Sequence, residues 1–513
     1  MDAIELSLFH SRVQAVCEEM GAVLRRTALS TNIRDRRDYS CAVFDHAGRL
    51  GAQAAHIPVH LGSMAYAMTA IVREQDWQPG STLILNDPFM GGTHLPDVTL
   101  VSPVFLHGRL KAFVANRAHH ADIGATAPGS MPVSTTLDEE GLVIPPTFIA
   151  RHGRLLDQRL ANLCAATANA ADCHGDMIAQ LSANLSGVQR LQGLMETMGE
   201  GAFDSALGAL NAYAETLARQ TVEQIPDGRY TFTDILDDDG AGTLDLPIRV
   251  QLVIAGDAAT VDFAGTHDQV TGNVNCPLSV TAAAVFYVFR CLMPAPTPAC
   301  DGALRPLAIA APAGSLVNAR RPAAVAAGNV ETSTRIVDAV LGALAAALPD
   351  RIPAASHGSM NNLAMGARKT KTPWDYYETI GGGMGAGRDG GGLDGVQTHM
   401  TNTLNTPAET LEMRYPLRVT RYALRRGSGG AGRRRGGDGL VREMTSLQEA
   451  TVTLLTERRR HPPWGLAGGG DGSPGRNLLN DRTLPSKTTF TAHPGDRLAI
   501  ETPGGGGWGA AEE

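Results

Sequence analysis

The chain has 513 residues, of which 43% are hydrophobic and 19% charged, and its formal net charge is -8 at pH 7. This length supports two or three globular lobes, and the acidic balance argues against a nucleic-acid partner. No apolar run reaches the roughly 18 residues that a membrane helix needs, and the N-terminus lacks the pattern of a secretory signal. The seven scattered cysteines, an odd number, indicate reduced thiols and a cytoplasmic location.

The N-terminal part is predicted to contain one helix followed by strands. Apolar residues recur at helical spacing over residues 5–26, which predicts an amphipathic helix. From Tyr39 the pattern changes to a buried strand that ends in a glycine-containing turn at residues 45–49. Three more strands are predicted, the last two joined by a turn at His107 and Gly108: residues 82–85, 100–105 and 110–115.

The middle of the chain is predicted to be helical. Residues 161–198 and 202–224 are rich in alanine, leucine, glutamine and methionine and contain no proline, and Pro226-Asp227-Gly228 ends this section. Strand-like segments then alternate with Asp- and Gly-containing turns: residues 228–236, 248–254 and 259–263.

These patterns predict an α+β fold of several lobes with mixed sheets. The predicted parts are an N-terminal metal-site lobe (1–160), a helical section (161–224) and a glycine-rich, strand-rich C-terminal lobe (225–513). Much of the chain's glycine, 58 residues in all, lies in the last third. Such density indicates close or left-handed backbone, with mobile loops and ligand binding both open as explanations. No segment matches a Walker A phosphate-binding loop.

Histidines and carboxylates are concentrated in two short segments at predicted strand ends. His94 and Asp97 are three residues apart, and His119 lies at the end of the next strand. His120 alternates to the opposite face of an extended chain, so we expect only His119 of this pair to coordinate. Imidazole and carboxylate together suit zinc, manganese or iron. The sequence therefore predicts a divalent-metal site formed by His94, Asp97 and His119.

A fourth ligand must come from another segment, and the charged run before the first strand offers two candidates. Asp35 and Asp38 compete for that role. Arg34 or Arg37 could bind a carboxylate or phosphate of a substrate.

Further polar residues close in sequence to these ligands are candidates for supporting roles. Asp122 and Asp87 could orient an imidazole by accepting its second N–H. Together with His120 and Arg34, Asp122 forms the predicted catalytic group. His56 and His60 could line the same cavity, but a packing role is the favoured interpretation.

A cysteine nucleophile is the competing chemical interpretation, and it is not favoured. Cys41 lies in an apolar strand, where thiols are inert. Cys276 lies in a more polar turn, but nothing in the sequence around it lowers the pKa of its thiol.

Motifs distributed over essentially the whole chain resemble the hydantoinase B family. They lie at residues 32–45, 94–97, 119–122, 328–333, 399–403, 412–416, 428–432 and 503–509. The family includes the B-type subunit of ATP-dependent N-methylhydantoinase, the C-terminal part of 5-oxoprolinase and the alpha subunit of acetone carboxylase.

The resemblance implies a metal, with manganese favoured and zinc or iron as alternatives. The implied ligands are His94, Asp97 and His119, together with an acid within residues 32–38. Asp35 matches the position of that acid, where the family usually has glutamate, and Asp38 is the alternative.

The resemblance also implies a hetero-oligomer with an A-type subunit that uses ATP to phosphorylate a carbonyl oxygen. This chain would then open the ring of a small cyclic amide, a hydantoin or a 5-oxoproline-like molecule, with metal assistance. One alternative is a manganese-dependent carboxylase subunit like that of acetone carboxylase. Carboxylase chains are longer, so a length of 513 residues favours hydrolysis. Another alternative is a non-catalytic scaffold for the A-type subunit.

Overall fold

The computed structural model describes residues 2–54, 56–368, 370 and 372–511, which contain nine α-helices and four β-sheets. The predicted α+β class is therefore confirmed. The helices are α1 (Ala3–Thr27), α2 (Thr31–Arg34), α3 (Pro58–Arg73), α4 (Asp157–Cys164), α5 (Ala170–Met198), α6 (Glu200–Glu223), α7 (Leu278–Leu292), α8 (Ser333–Ala347) and α9 (Ala408–Arg414). Within the described residues, no helix combines the length and the hydropathy that crossing a membrane requires.

An antiparallel sheet of seven strands forms the N-terminal part. In spatial order its strands are β2 (Leu50–Gln53), β1 (Tyr39–Asp45), β5 (Arg109–His119), β4 (Asp97–Leu106), β3 (Thr82–Leu85), β6 (Thr147–Arg151) and β7 (Arg154–Leu155). Cys41 and Val43 of β1 belong to the core that includes α1, whereas Ala42 and Phe44 belong to the core that includes α3. Both faces of the sheet are covered, which explains why β1 is an unbroken apolar run.

Helix α1 has clear start and stop signals in the sequence. The Asp2 carboxylate accepts a hydrogen bond from the Glu5 backbone at 2.8 Å, and the Glu5 carboxylate accepts one from the Asp2 backbone at 3.0 Å. This capping box satisfies two backbone donors that a helix start leaves free. Arg25 and Arg26 in the last turn complement the negative end of the helix dipole.

The predicted helical section is present, with a break between α4 and α5. Helix α5 packs against α1 and across β4 and β5. It therefore forms part of the layer that covers the N-terminal sheet.

Three smaller sheets make up the rest of the described chain. The second sheet contains β11 (Leu307–Ala310), β10 (Ala258–Asp262), β9 (Leu244–Ala255) and β8 (Gly228–Asp238). The third contains β13 (Trp374–Glu378), β12 (Asn362–Ala367), β16 (Ala450–Leu455) and β19 (Lys487–Ala492). The fourth contains β14 (Leu417–Arg425), β15 (Gly439–Ser446), β20 (Arg497–Glu501), β17 (Arg476–Leu479) and β18 (Arg482–Leu484).

Helix packing connects the N-terminal sheet to the second sheet. Helix α8 packs on β8 and β9, α7 packs on α8, and α3 packs on α7. The second sheet pairs its strands both ways, because β10 and β11 are parallel while the other neighbours are antiparallel.

Many glycines near the C-terminus lie where backbone segments approach one another closely. The Gly430 amide donates to the Gly505 carbonyl, and the Gly505 amide donates to the Gly437 carbonyl, each at 2.9 Å. A Cβ atom on Gly437 would lie 1.9 Å from the Leu393 carbonyl oxygen, and one on Gly505 would lie 2.1 Å from that of Met384. These glycines are buried, so close backbone approach is the explanation that applies to them.

Candidate metal centre

The β4–β5 hairpin brings the predicted ligands together. Asp97 is the first residue of β4, His119 is the last residue of β5, and the two are direct partners in the antiparallel register. His94 precedes β4 in a tight turn, in which the Asp97 amide donates to the His94 carbonyl at 3.1 Å. All three side chains are buried, and one potential ligand atom from each lies within 4.8 Å of the others.

The facing atoms of this group lack protein partners. Asp97 Oδ1 lies 3.2 Å from His94 Nε2 and 3.3 Å from His119 Nδ1. Despite this proximity, Asp97 Oδ1, His94 Nε2 and His119 Nε2 have no hydrogen-bond partner among the described residues. Buried polar atoms without partners cost free energy, and three that converge indicate a cation-binding site. Two imidazoles and a carboxylate fit a divalent cation such as manganese, zinc or iron.

The second oxygen of Asp97 is held by neighbouring side chains. Oδ2 accepts hydrogen bonds from Thr93 Oγ1 at 2.5 Å and from Asn329 Nδ2 at 3.4 Å, and His60 Nε2 lies 3.2 Å away. Burial opposes ionisation of Asp97, but His94 and His60 beside it hold the pKa of this carboxyl well below its usual value. Asp97 is therefore an oriented carboxylate with one free oxygen.

The two imidazole rings are also fixed in orientation. His94 Nδ1 lies 3.2 Å from the Ala326 carbonyl oxygen, which assigns the ring proton to Nδ1 and leaves Nε2 as a lone-pair donor. The His119 ring stacks on Tyr377 with centroids 4.6 Å apart and an interplanar angle of 8°. Burial alone would lower the pKa of His94, but the adjacent Asp97 carboxylate raises it, whereas burial lowers the pKa of His119.

A small cavity of about 20 Å³ adjoins these side chains. It is wide enough for roughly one water molecule. Asp38 lines it, next to β1, with Oδ1 3.9 Å from His60 Nε2 and Oδ2 3.5 Å from Arg36 Nη2. Asp38 is therefore the acid of the 32–38 segment that lies beside the ligand group.

Asp35 and Arg34 lie apart from this cavity. Asp35 caps the end of α2, and its Oδ1 lies 3.1 Å from Nε of Arg34, with both side chains partly exposed. The short helix α2 turns these two residues away before the chain enters β1. Arg34 therefore pairs with its neighbour, and neither residue contacts the candidate ligands.

His120 and Asp122 face other surroundings. His120 Nε2 lies 2.9 Å from Gln180 Oε1 of α5, because successive residues of an extended chain point to opposite sides. Asp122 accepts hydrogen bonds from Ser130 Oγ at 3.1 Å and from Arg368 Nη2 at 3.0 Å. These partners show that Asp122 organises the loop that follows β5.

Asp87 and His56 also act outside the cavity. Asp87 accepts a hydrogen bond from the Phe89 amide at 3.0 Å and pairs with Arg321. His56 packs edge-on against Tyr39, with centroids 5.1 Å apart. His60, by contrast, lies in the cavity wall.

Sequence reasoning did not assign a role to Asn329 and Tyr377, which complete the surroundings of the group. Asn329 lies in a π-helical turn, Gly328–Thr332, that leads into α8. Such turns occur often at functional sites. A cluster of polar residues at the start of an otherwise apolar, alanine-rich helix is the signal that could have identified Asn329. Tyr377 carries no comparable local signal.

Comparisons with known proteins agree with this architecture. Residues 2–511 match the Hydantoinase B/oxoprolinase family. The chain is 39% identical to 5-oxoprolinase 1 of Arabidopsis thaliana, covering 99% of this chain and 42% of that protein. It is 31% identical to a Pseudomonas sp. (strain NS671) protein named as the B-type subunit of a D-/L-hydantoinase, covering 99% of this chain and 90% of that protein.

A solved structure shares the whole fold. The ATP-dependent caprolactamase from Pseudomonas jessenii superimposes with a TM-score of 0.93 at 28% identity, covering 99% of this chain and 91% of that chain. The chain spans about two fifths of the length of the eukaryotic relatives that it matches.

Proposed function

Because the chain belongs to the Hydantoinase B/oxoprolinase family, we propose that it is the ring-opening subunit of an ATP-dependent cyclic-amide hydrolase. Its substrate would be a carbonyl-phosphorylated hydantoin or lactam of the 5-oxoproline type. The observation that carries the proposal is the buried group of His94, Asp97 and His119, with three converging atoms that have no partner among the described residues.

The proposed ligands are His94, Asp97 and His119, with Asp38 beside them as the fourth candidate. A divalent cation bound there, manganese in the favoured case, supplies Lewis-acid polarisation of an oxygen and makes water more acidic. Thr93 and Asn329 hold the Asp97 carboxylate in one orientation, as supporting partners of metal ligands do.

Proton transfer is the second task that the side chains are placed to perform. His60 Nε2 lies 3.2 Å from Asp97 Oδ2 and 3.9 Å from Asp38 Oδ1 at the cavity wall. An imidazole there can take a proton from an attacking water and return it to a leaving nitrogen. The cavity of about 20 Å³ accommodates the reacting oxygen and not a whole ring, so bulk water is kept from the reaction.

An A-type partner subunit would supply the ATP-dependent step. The Pseudomonas relative is named as one of two kinds of hydantoinase subunit, and the superimposed caprolactamase is ATP-dependent. The eukaryotic relatives are more than twice as long as this chain. We infer that the part of those proteins outside the matched region performs the carbonyl phosphorylation.

The deciding experiment measures metal content and ring opening together. Protein freed of affinity-tag histidines is assayed for metal by mass spectrometry and, mixed with the A-type subunit and ATP, for ring opening of 5-oxoproline or hydantoin. We expect near-stoichiometric metal in the wild type. In His94→Ala we expect loss of metal and a decrease in turnover of at least about 100-fold with an unchanged fold.

The matched control is His46→Ala, which removes an exposed histidine from the β1–β2 turn. It should retain both metal and turnover. A metal-free wild type together with undiminished activity of His94→Ala would leave the chain as a scaffold for its partner. Bicarbonate-dependent carboxylation without ring opening would assign it to the carboxylase branch.

A further inference from the structure

A second cavity, of about 240 Å³, lies between α3 and α7, on the side of α3 away from the candidate metal centre. Pro58 and Gly62 of α3 line this cavity, whereas His60 between them lines the metal centre. Most of the wall is apolar and includes Leu50, Ala65, Ala283, Phe286 and Leu304. The cavity has room for roughly eight water-sized groups.

Two polar side chains interrupt this apolar wall, and each has a buried atom without a partner. Arg290 of α7 and Gln53 of β2 both line the cavity. Arg290 Nη1 and Gln53 Oε1 are buried and meet no hydrogen-bond partner anywhere in the described ranges. The arrangement leaves one donor and one acceptor unsatisfied in the same pocket, which costs free energy unless a ligand pairs with them.

The charge around Arg290 has one sign. The ionisable groups that interact with it are His10, Cys291 and Cys300, none of which is a carboxylate. Burial lowers the pKa of Arg290, yet an arginine side chain stays protonated in proteins. A guanidinium that is partly desolvated and has no acid beside it is a site for an anion, and its planar fork suits a carboxylate.

We propose that this cavity binds a small organic monocarboxylate with a hydrocarbon body, whose carboxylate pairs with Arg290. The apolar wall takes the hydrocarbon part, and Gln53 Oε1 accepts a hydrogen bond from a hydroxyl or N–H group on the ligand. The volume limits the ligand to a short chain or a single ring. This binding site is independent of the proposed function, because none of its lining residues belongs to the metal centre.

The test is calorimetric titration of the full chain with three probes of equal length: hexanoate, hexanamide and hexylamine. Hexanoate should bind at least about 10-fold more tightly than hexanamide, because the charged hydrogen bond is lost in the amide, and hexylamine should not bind. Equal binding of hexanoate and hexanamide would overturn the proposal. So would the absence of hexanoate binding at millimolar concentration.

Three variants locate the binding. Arg290→Met keeps an apolar side chain and should weaken hexanoate binding at least about 10-fold. Ala65→Leu fills the cavity from α3, leaves Arg290 in place and should abolish binding, which decides the matter if Arg290→Met does not fold. Arg12→Met, which removes an exposed arginine of α1, should leave binding unchanged. Unchanged binding in Ala65→Leu would contradict the proposal.

The metal centre must be separated from this site, because a metal also attracts carboxylates. His94→Ala should bind hexanoate with unchanged affinity. Loss of binding in that variant would place the carboxylate at the metal centre and refute the second site. The outcome is independent of whether the chain supports ring opening.

Discussion

At the scale of single residues, the register of the β4–β5 hairpin determines the composition of the candidate metal centre. Asp97 and His119 are paired directly across the two strands. A slip of one residue would turn the Asp97 side chain to the other face of the sheet and separate it from His94 and His119. The extensive backbone pairing of this hairpin therefore protects the relative position of two ligands.

The identity of the fourth ligand can be tested with two neighbouring acids. Asp38 lines the cavity, whereas Asp35 pairs with Arg34 at its edge. Asp38→Asn should lower metal affinity by about 10- to 100-fold, whereas Asp35→Asn should leave it unchanged. Competition with a chelator of known affinity measures both. Loss of metal in Asp35→Asn alone would restore Asp35 as the ligand.

Glu331 is a buried acid connected to the candidate centre through hydrogen bonds. Its Oε1 accepts from Asn362 Nδ2 at 2.7 Å, Asn362 Oδ1 accepts from the Tyr377 hydroxyl at 2.6 Å, and the Tyr377 ring stacks on His119. Burial, together with nearby Glu457, raises the pKa of Glu331 to about 8. The side chain is therefore protonated at neutral pH in the folded protein.

This raised pKa makes stability depend on pH. Between the ordinary pKa of glutamate, 4.5, and about 8, the folded chain keeps a proton on Glu331 that the unfolded chain releases. The contribution of Glu331 to the free energy of unfolding is therefore complete below pH 4.5 and lost as pH rises to about 8. In Glu331→Gln, which cannot ionise, a decrease on the order of 3 kcal/mol over this range should disappear.

Denaturant unfolding of the wild type and the variant at several pH values measures this difference. Glu74→Gln, which changes an exposed acid after α3, should retain the wild-type slope. Parallel pH profiles for the wild type and Glu331→Gln would show that Glu331 is ionised in both states at neutral pH.

At the scale of elements, the glycine-rich segments near the C-terminus act as packed structure. Their backbones pass so closely that a methyl group on Gly437 would meet the Leu393 carbonyl oxygen at 1.9 Å. Neither atom belongs to a flexible side chain, so relief requires the movement of whole segments. Regular sheet pairing would keep these backbones further apart.

Gly437→Ala should therefore lower the free energy of unfolding by at least about 3 kcal/mol, because overpacking here cannot be relieved by a rotamer change. Gly387→Ala is the matched control, since a Cβ there meets nothing within 4 Å and its backbone is not left-handed. It should change stability by less than about 1 kcal/mol. Denaturant unfolding of both variants checks the difference, and similar stabilities would argue against close packing in these segments.

At the scale of the whole molecule, a buried ion cluster joins the second sheet to the third. Arg335 of α8 lies 3.2 Å from Asp234 of β8 and 3.1 Å from Glu457, which follows β16. Further buried pairs extend the cluster: Arg458 with Asp234 and Asp338, and Lys487 with Glu457. Each charge depends on partners from distant parts of the chain, so the cluster forms only when the sheets are assembled.

Arg335→Met should lower the free energy of unfolding by about 3–5 kcal/mol, because it leaves buried carboxylates with too few cations. Arg190→Met, which breaks an exposed pair with Glu19, should cost less than about 1 kcal/mol. Thermal and denaturant unfolding measure both variants. Equal effects would mean that the buried carboxylates take up protons or water at little cost.

Prediction from sequence succeeded where the controlling interactions are local. The helix over residues 5–26 corresponds to α1, and the strand and turn from Tyr39 correspond to β1 and the turn to β2. Capping residues, apolar periodicity and glycine turns act within a few residues, so they can be read in order along the chain. The break between α4 and α5 was not predicted, because nothing in that alanine-rich stretch forbids a helix.

The sequence by itself determined that His94, Asp97 and His119 lie at the ends of two strands of one hairpin, because a short turn and alternating side chains leave few other arrangements. Only the tertiary structure decided that Asp38, His60, Asn329 and Tyr377 surround them. These residues come from elements that are far apart in the chain and meet through packing of helices and sheets. Local patterns carry no information on such meetings, since the free energy that drives them comes from burial of surfaces that only the assembled fold brings together.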